Sequence, residues 1–240
     1  MNLISLPVVF LSGLTLLATS AQAAPARATA AARVKPSQTL VTLFAARKAM
    51  SRPAKGSSLL ELVQARRPIT DVRTVLPVLG QRTGRGGLRW LRVRLPGRPN
   101  GRTGWIRRRA TLVSRTSWHI VINTSSRRVT VYRHGQRARV FRAVVGSAST
   151  PTPLGEFFVE ESIKLPARAV GAPFALALSA RSNVYQEFAG GPGQIALHGL
   201  NNVGGTLGTA VSHGCVRLST AGMRWLARHI APGIPVTITQ

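Results

Sequence analysis

A thiol and two imidazoles stand close together in the C-terminal part of the sequence, and their side chains are suited to nucleophilic chemistry. Cys215 is the only cysteine, His213 lies two residues before it, and His198 ends the apolar run 195–197. A neutral thiol is a weak nucleophile, whereas a nearby imidazole can accept its proton or, once charged, stabilise the thiolate. These residues predict a cysteine nucleophile with a histidine base.

The residues around the thiol indicate how a reacting carbonyl could be held. Gly214 lacks a Cβ and permits a tight turn, which would leave the amides of Gly214 and Cys215 free to face a developing oxyanion. The histidine base also needs an orienting acceptor. The acidic residues of the C-terminal part are Glu156, Glu160, Glu161 and Glu187, at some distance in sequence. A backbone carbonyl is therefore the expected acceptor.

A zinc site is the first alternative for the same three side chains. His198, His213 and Cys215 could supply three ligands, and positions 213 and 215 point the same way on an extended chain. One equivalent of bound zinc would contradict the thiol mechanism, whereas chelator-insensitive activity of metal-free protein would exclude zinc. We expect no metal and no other cofactor. Three further histidines need no function, namely His119, His134 and His229.

The elements that must position these residues are mostly strands. Three apolar runs separated by polar turns, at 118–123, 129–132 and 139–146, predict a β-meander. Further apolar runs lie at 155–159, 174–178 and 194–198. We expect a predominantly antiparallel sheet.

One helix is predicted near the C-terminus, where apolar residues recur at helical spacing. These are Met223, Leu226, Ala227 and Ile230. Ser219 or Thr220 is the expected N-cap, Pro232 ends the helix, and residues 234–238 read as a closing strand.

A separate β domain is predicted over residues 41–114, where short apolar runs alternate with Gly and Pro. In the run 88–95, Leu91, Val93 and Leu95 alternate with arginines, the pattern of a half-buried strand. The stretch Gly104-Trp105-Ile106 follows the loop 96–101 and resembles bacterial SH3-like modules, which implies a small β-barrel. No catalytic constellation occurs in this block.

The N-terminal residues have the pattern of an export signal. Residues 3–18 are apolar, and Ala21-Gln22-Ala23 fits a cleavage site, so residues 1–23 are interpreted as a signal peptide. An uncleaved N-terminal anchor is the alternative. Either interpretation places the rest of the chain outside the cytoplasm, in the cell wall or periplasm. Residues 24–40 are interpreted as a linker, and no later apolar run could span a bilayer, so we do not expect an integral membrane protein.

The charge of the chain is high and unevenly distributed. The 240 residues include 33 Lys and Arg against 6 Asp and Glu. Residues 24–142 hold 27 basic and 2 acidic side chains, and residues 143–240 hold 6 and 4. Such basicity is typical of phosphate binding, but export makes nucleic acid an unsuitable partner and favours anionic envelope polymers. With 29 Arg and 4 Lys, a coding bias towards Arg also remains open.

We expect a monomer.

The motifs around the thiol resemble those of a known family. The stretch Ser212-His213-Gly214-Cys215-Val216-Arg217-Leu218, together with His198-Gly199 and the upstream stretch 150–157, is similar to the L,D-transpeptidase catalytic domain, also called the YkuD domain. The resemblance covers residues 117–239. It implies a mainly β fold, here an SH3-like module followed by a sandwich-like catalytic domain with a short helix.

The resemblance implies a reaction and roles for the residues. Cys215 would be the nucleophile, His198 the general base held by the Gly199 carbonyl, and His213 a supporting group. The family cross-links peptidoglycan stem peptides through 3→3 bonds, and water as acceptor would give a carboxypeptidase instead. A covalent carbapenem adduct at Cys215 is a further expectation.

Three residues are predicted to bind substrate, namely Ser212, Arg217 and Arg181. A guanidinium can bind a stem carboxylate through two hydrogen bonds. The family often has Asn at the position of Arg217, so a hydrogen bond from Arg217 to the turn is the alternative. A second alternative for the whole protein is a non-catalytic wall-binding role, which unchanged cross-linking by a Cys215→Ala variant would support.

Overall fold

Strands dominate the structure, a computed structural model that describes residues 34–188 and 190–240. The signal-peptide interpretation of residues 1–23 therefore lies outside the described residues. No helix among the described residues is both long enough and apolar enough to cross a bilayer.

The N-terminal part forms an antiparallel sheet of seven strands. They are β1 (Gln38–Leu43), β2 (Arg47–Met50), β3 (Leu59–Val63), β4 (Val75–Thr83), β5 (Arg89–Arg94), β6 (Thr103–Arg107) and β7 (Thr111–Thr116). Their order is β3-β2-β6-β5-β4-β1-β7. In β5 the apolar Leu91 and Val93 are buried while Arg92 between them is exposed, as the alternation predicts. The SH3-like assignment stays a prediction.

The strand β1 begins inside the stretch that was interpreted as a linker. Leu40 is buried and pairs with Pro77 of β4 on one side and with Ser114 of β7 on the other. The linker interpretation of residues 24–40 is therefore wrong for residues 38–40. The physical reason is that one apolar side chain packs against strands distant in sequence, which composition alone does not reveal.

The C-terminal part forms a mixed sheet of eight strands and a separate pair. They are β8 (Trp118–Asn123), β9 (Arg128–Arg133), β10 (Gln136–Arg142), β11 (Val145–Gly146), β12 (Gly155–Lys164), β13 (Phe174–Arg181), β14 (Gln194–Gly199), β15 (Ala210–Ser212), β16 (Val216–Leu218) and β17 (Pro235–Thr239). The order is β10-β9-β8-β17-β12-β13-β14-β16, while β11 pairs with β15. The predicted meander is present as β8, β9 and β10.

This sheet is nearly closed rather than sandwich-like. Beyond β10 the chain returns to the far edge, where Val144 and Arg217 exchange two backbone hydrogen bonds of 2.9 Å each. The pairs β8 with β17 and β14 with β16 are parallel, and the other neighbours are antiparallel. The mainly β class is confirmed, and the sheet has a barrel-like form because its two edges meet.

The predicted helix is present as α1 (Thr220–His229). Its N-cap is Ser219, whose Oγ accepts a hydrogen bond of 3.1 Å from the Gly222 amide. Met223 and Leu226 are fully buried against the C-terminal sheet. The helix ends before Pro232, because Ile230 already has extended backbone angles.

The strand β12 connects the two cores. Phe157 packs in the C-terminal core and Phe158 in the N-terminal core, and each is 1% exposed. Consecutive strand residues point to opposite faces, so one strand serves both. Truncating either ring to Ala would cost about 3–5 kcal/mol of stability. Residues 34–240 accordingly form one compact unit.

A buried ion cluster lies at the same junction. Glu160 and Glu161 are each 1% exposed. Glu160 pairs with Arg67, and Arg181 Nη1 lies 3.1 Å from Glu160 Oε1. The amide and hydroxyl of Thr70 donate to Glu161 Oε2 at 2.8 and 2.7 Å. The N-terminal residues Arg67 and Thr70 thus supply partners to carboxylates of β12, which would be costly to bury alone.

Candidate active site

Two parallel neighbouring strands bring the predicted catalytic residues together. His198 lies on β14 opposite Arg217 of β16, and Cys215 immediately precedes β16. Parallel pairing places His198 two positions along the neighbouring strand from Cys215, so both residues lie in the same part of the sheet. Both line a cleft of about 140 Å³ with His213 and Arg217.

The turn before Cys215 is fixed by Ser212. Its Oγ accepts from the Gly214 amide at 3.2 Å and donates to the Cys215 carbonyl at 2.6 Å. Gly214 has a φ of +118°, which disfavours any residue with a Cβ. Ser212 is fully buried and outside the cleft, so the structure gives it a structural role instead of the predicted substrate contact. The Gly214 amide already has an acceptor; its oxyanion role, like that of the Cys215 amide, stays a prediction.

Two buried threonines also bind the backbone of this turn. Thr150 Oγ1 donates to the Ser212 carbonyl at 3.0 Å, and Thr152 Oγ1 donates to the Gly214 carbonyl at 2.8 Å. Thr152 Oγ1 in turn accepts from the Gly146 amide at 2.9 Å. Sequence reasoning missed these roles, although both threonines lie in the stretch 150–157 that supports the family resemblance. Their contacts span 62 residues of sequence.

The His198 ring is anchored by a backbone carbonyl. Its Nδ1 lies 2.8 Å from Gly199 O, the acceptor named from the sequence. Since a carbonyl can only accept, Nδ1 carries the proton and Nε2 is left as the basic nitrogen. Gly171 packs so closely that a Cβ there would lie 2.6 Å from His198 Nδ1. The Gly199 amide donates to Gly171 O at 2.7 Å, which fixes the two glycines together.

Burial keeps both reacting groups uncharged. It lowers the pKa of His198, an effect that the Gly199 hydrogen bond opposes and the Arg217 charge reinforces. It raises the pKa of the Cys215 thiol, against the opposing effects of the Ala196 amide and the Arg217 charge. A neutral thiol beside a neutral imidazole is the state expected at neutral pH. The imidazole can therefore act as a general base while the thiol attacks.

Arg217 lies beside the thiol and is 8% exposed. Its Nη1 donates to Gly204 O at 3.3 Å, while its buried Nε has no hydrogen-bond partner among the described residues. Burial lowers the pKa of Arg217, and the nearby Cys215 opposes that effect. The guanidinium thus donates to the loop at Gly204 and not to the predicted turn at Gly214, and it also lines the cleft, so its substrate role stays a prediction.

Comparison with known proteins identifies the family of this site. The family model described as the L,D-transpeptidase catalytic domain, YkuD, matches residues 117–238. The chain belongs to the L,D-transpeptidase catalytic domain family. This match covers the eight-stranded sheet, the cleft and α1, and leaves the N-terminal sheet outside.

Curated relatives match the same part of the chain. The YkuD protein of Bacillus subtilis is 28% identical over 51% of this chain and 66% of its own length. L,D-transpeptidase 1 of Mycobacterium tuberculosis is 29% identical over 49% of each chain. The chain therefore spans less than two thirds of the length of the relatives it matches. Among solved structures, L,D-transpeptidase 3 of Mycobacterium tuberculosis with a faropenem-derived adduct is 15% identical, covering 83% of this chain and 97% of that one, with a TM-score of 0.46.

In this L,D-transpeptidase domain His213 lines the same cleft as His198 and lies next to two aromatic rings. It is exposed, and its ring centroid lies 6.0 Å from that of Tyr185 and 5.6 Å from that of Phe188. The two aromatic rings lie 5.5 Å apart. These rings form an aromatic side of the cleft that sequence reasoning did not foresee, because neither residue belongs to a motif.

The structure does not bring Arg181 to the L,D-transpeptidase cleft. Its guanidinium is bound to Glu160 and to the carbonyls of Leu178 and Ala180. Burial lowers the pKa of Arg181 to about 10. The predicted role in substrate binding is therefore wrong, because the side chain is bound at the junction of the two sheets.

No group of three or more His, Cys, Asp or Glu suited to a metal ion occurs within residues 34–188 and 190–240.

Proposed function

We propose that this protein is an exported peptidoglycan L,D-transpeptidase that forms 3→3 cross-links through a thioester at Cys215. The observation that carries the proposal is that this thiol and His198 line one cleft, where the Gly199 carbonyl leaves Nε2 of the imidazole as the base. Family membership supports the reaction class.

The first half-reaction forms the thioester. His198 Nε2 accepts the thiol proton as Cys215 Sγ attacks the carbonyl of the third stem residue. The tetrahedral adduct collapses with cleavage of the C–N bond. The imidazolium returns its proton to the departing amine, so D-alanine leaves and the enzyme holds the acyl group. Starting from neutral groups, this step needs no preformed ion pair.

The second half-reaction transfers the acyl group. A side-chain amine of a neighbouring stem attacks the thioester, His198 accepts a proton from that amine, and Cys215 leaves as the thiolate and recovers the proton. The product carries a new amide bond between two third residues. Water in place of the amine would release a tripeptide, which is the carboxypeptidase alternative.

The cation beside the thiol has a defined part in this scheme. Arg217 lowers the pKa of Cys215 and so favours the thiolate at the moment of attack. Its buried Nε, without a partner among the described residues, is also a donor that a substrate carboxylate or carbonyl could satisfy. Arg217 thus combines a structural contact with a substrate contact.

The basic N-terminal residues suit a location next to anionic envelope polymers. Residues 34–116 include 19 basic and 2 acidic side chains. Salt screens such attractions between exposed charges. Retention of the protein on isolated cell walls should therefore fall as salt rises from 0.05 to 0.5 M; retention that ignores salt would favour coding bias as the origin of the arginines.

The test of the reaction uses the purified protein and a disaccharide-tetrapeptide. We expect mass spectrometry to show loss of D-alanine and a cross-linked dimer, neither of which a Cys215→Ala variant should give. Tripeptide without dimer would indicate a carboxypeptidase. Neither product, from protein whose Cys215 is alkylated by iodoacetamide, would contradict the proposal. We also expect a covalent imipenem adduct at Cys215.

A further inference from the structure

A loop of the N-terminal sheet reaches the segment that shapes the cleft. The loop consists of residues 96–101 between β5 and β6, and we call residues 182–188 and 190–193, after β13, the cleft segment. Arg98 donates to three carbonyls of that segment. Its Nη1 lies 2.9 Å from Pro192 O, and its Nη2 lies 2.9 Å from Ser182 O and 2.8 Å from Tyr185 O.

The cleft segment is shaped so that these carbonyls converge. The Ser182 amide donates to Gly193 O at 2.7 Å, which joins the first and last residues of the segment. Ser182 Oγ accepts from the Tyr185 amide at 3.0 Å, which turns the chain back. A Cβ on Gly193 would lie 2.1 Å from Tyr185 O and 3.1 Å from Arg98 Nη2, so glycine is required at this contact.

A second residue of the same loop fixes the start of the segment. Asn100 Nδ2 donates to Arg181 O at 2.7 Å, and the Arg181 amide donates to Asn100 Oδ1 at 2.8 Å. The pair of reciprocal bonds imitates the pairing of a neighbouring strand. Asn100 Nδ2 also lies 3.1 Å from Asn183 Oδ1. The loop therefore contacts the segment with both a charged and a neutral side chain.

Arg98 contacts a residue that carries one of the aromatic rings of the cleft. Tyr185 carries one of the bonded carbonyls, and its ring contacts Phe188 and His213. Ser182, Tyr185, Phe188 and Gly193 line the cleft that contains Cys215. A shift of the segment backbone would therefore move the rings relative to the thiol.

We propose that Arg98 is a positioning residue through which the N-terminal sheet sets the aromatic side of the cleft for the stem peptide. The proposal rests on the proposed function for its substrate. Arg98 contacts no reacting atom; it acts through the carbonyls of the cleft segment. The rings would contact the bound peptide in the ground state and in the transition state alike, so displacing them should raise KM more than it lowers kcat.

The test compares Arg98→Met, Arg98→Lys and the control Arg92→Met. Arg92 is exposed on β5 and donates only to Thr103 Oγ1 among the described residues. We expect Arg98→Met to raise KM for the tetrapeptide about tenfold with kcat changed less, Arg98→Lys to restore part of the loss, and Arg92→Met to match the wild type. The pH profile should not move, since Arg98 does not touch the thiol or the base.

Two readouts do not depend on turnover and separate this proposal from the proposed function. Hydrogen exchange of the amides of residues 183–187 should be faster in Arg98→Met only. Alkylation of Cys215 by a bulky pyrene maleimide, relative to iodoacetamide, should change in the same variant only. If the wild type does not turn over the tetrapeptide, the proposed function fails while these readouts still decide the role of Arg98. Faster exchange with both KM and the alkylation ratio unchanged would show a merely structural contact and overturn the proposal, as would no change at all.

Discussion

The two sheets of this protein are built from similar strands but differ in what they bury. Of the polar residues that are buried among those described, only Ser57 and Thr74 belong to the N-terminal sheet region. The C-terminal region buries ten: Thr150, Thr152, Glu160, Glu161, Ser179, Arg181, Ser182, Ser212, Arg217 and Thr237. Burying a polar group is costly unless it is hydrogen-bonded. The buried polar residues of the C-terminal region therefore lie where hydrogen bonds fix the site and the junction between the two sheets.

Charged side chains, unlike buried polar ones, are concentrated in the N-terminal region. Residues 34–116 hold 19 basic side chains against 2 acidic ones, whereas residues 117–240 hold 12 against 4. Most arginines of the N-terminal sheet are exposed or half-buried, as Arg92 is beside the buried Leu91 and Val93. The proposed catalytic residues thus lie outside the most basic region, in the part of the protein where polar side chains are buried. Substitutions of buried residues at the site should therefore have larger effects than substitutions in the N-terminal sheet.

The largest effect should come from the nucleophile. We expect Cys215→Ala to lower acyl transfer by at least about a thousandfold, because no thioester can form. Arg92→Met, in the N-terminal sheet, should retain wild-type transfer. D-Alanine release measured by mass spectrometry gives the comparison. Substantial release by Cys215→Ala would remove the assigned role of the thiol.

The base should give the next effect. We expect His198→Gln to lower kcat/KM by about 10²–10⁴. The attack needs neutral imidazole, so activity must fall as the pH drops through the pKa of His198, which burial holds below its ordinary value. The acid limb should therefore lie below about pH 6.5. An acid limb well above that pH would mean that the imidazole does not titrate as the buried geometry requires.

Alanine substitutions at two glycines distinguish the effect of backbone strain from the effect of displacing His198. Gly171 and Gly56 have similar φ values of +82° and +75°, but a Cβ would meet His198 only at Gly171 and nothing within 4 Å at Gly56. An alanine at either position should destabilise the protein by about 1 kcal/mol through strain. We expect only Gly171→Ala to lower kcat, by about tenfold or more, through displacement of the ring. Thermal melts and kcat for both variants check this, and equal activity of the two would contradict it.

The smallest expected effect compares two buried threonines. Thr152 Oγ1 donates to Gly214 O, whereas Thr74 Oγ1 is buried without a partner among the described residues. Thr152→Val should cost about 1–3 kcal/mol of unfolding free energy, because the Gly214 carbonyl is left unpaired. Thr74→Val should be neutral or stabilising, since it removes an unpaired hydroxyl. Urea denaturation of both variants measures the difference; an equal loss would show that the two regions do not differ in this respect.

Local patterns account for the parts of the fold and site that could be predicted. The meander follows from alternation at period 2, and α1 follows from the spacing of Met223, Leu226 and Ile230 with a Ser219 cap. The residues of the thiol motif lie within a few positions of each other. His198 and its acceptor Gly199 are adjacent, so their contact at 2.8 Å needs little more than a strand and its end.

Contacts between distant residues account for what could not be predicted. A mainly β protein with a thiol, an imidazole and a glycine turn follows from the sequence, because neighbouring residues and short periods specify these features. The burial of Ser212 in the turn, the bond from Arg181 to Glu160 and the near closure of the sheet at Val144 depend instead on contacts between distant residues. The same holds for Arg98, which contacts the cleft segment more than 80 residues away in sequence. Such pairings depend on which strands become neighbours, and no local pattern of side chains records that choice.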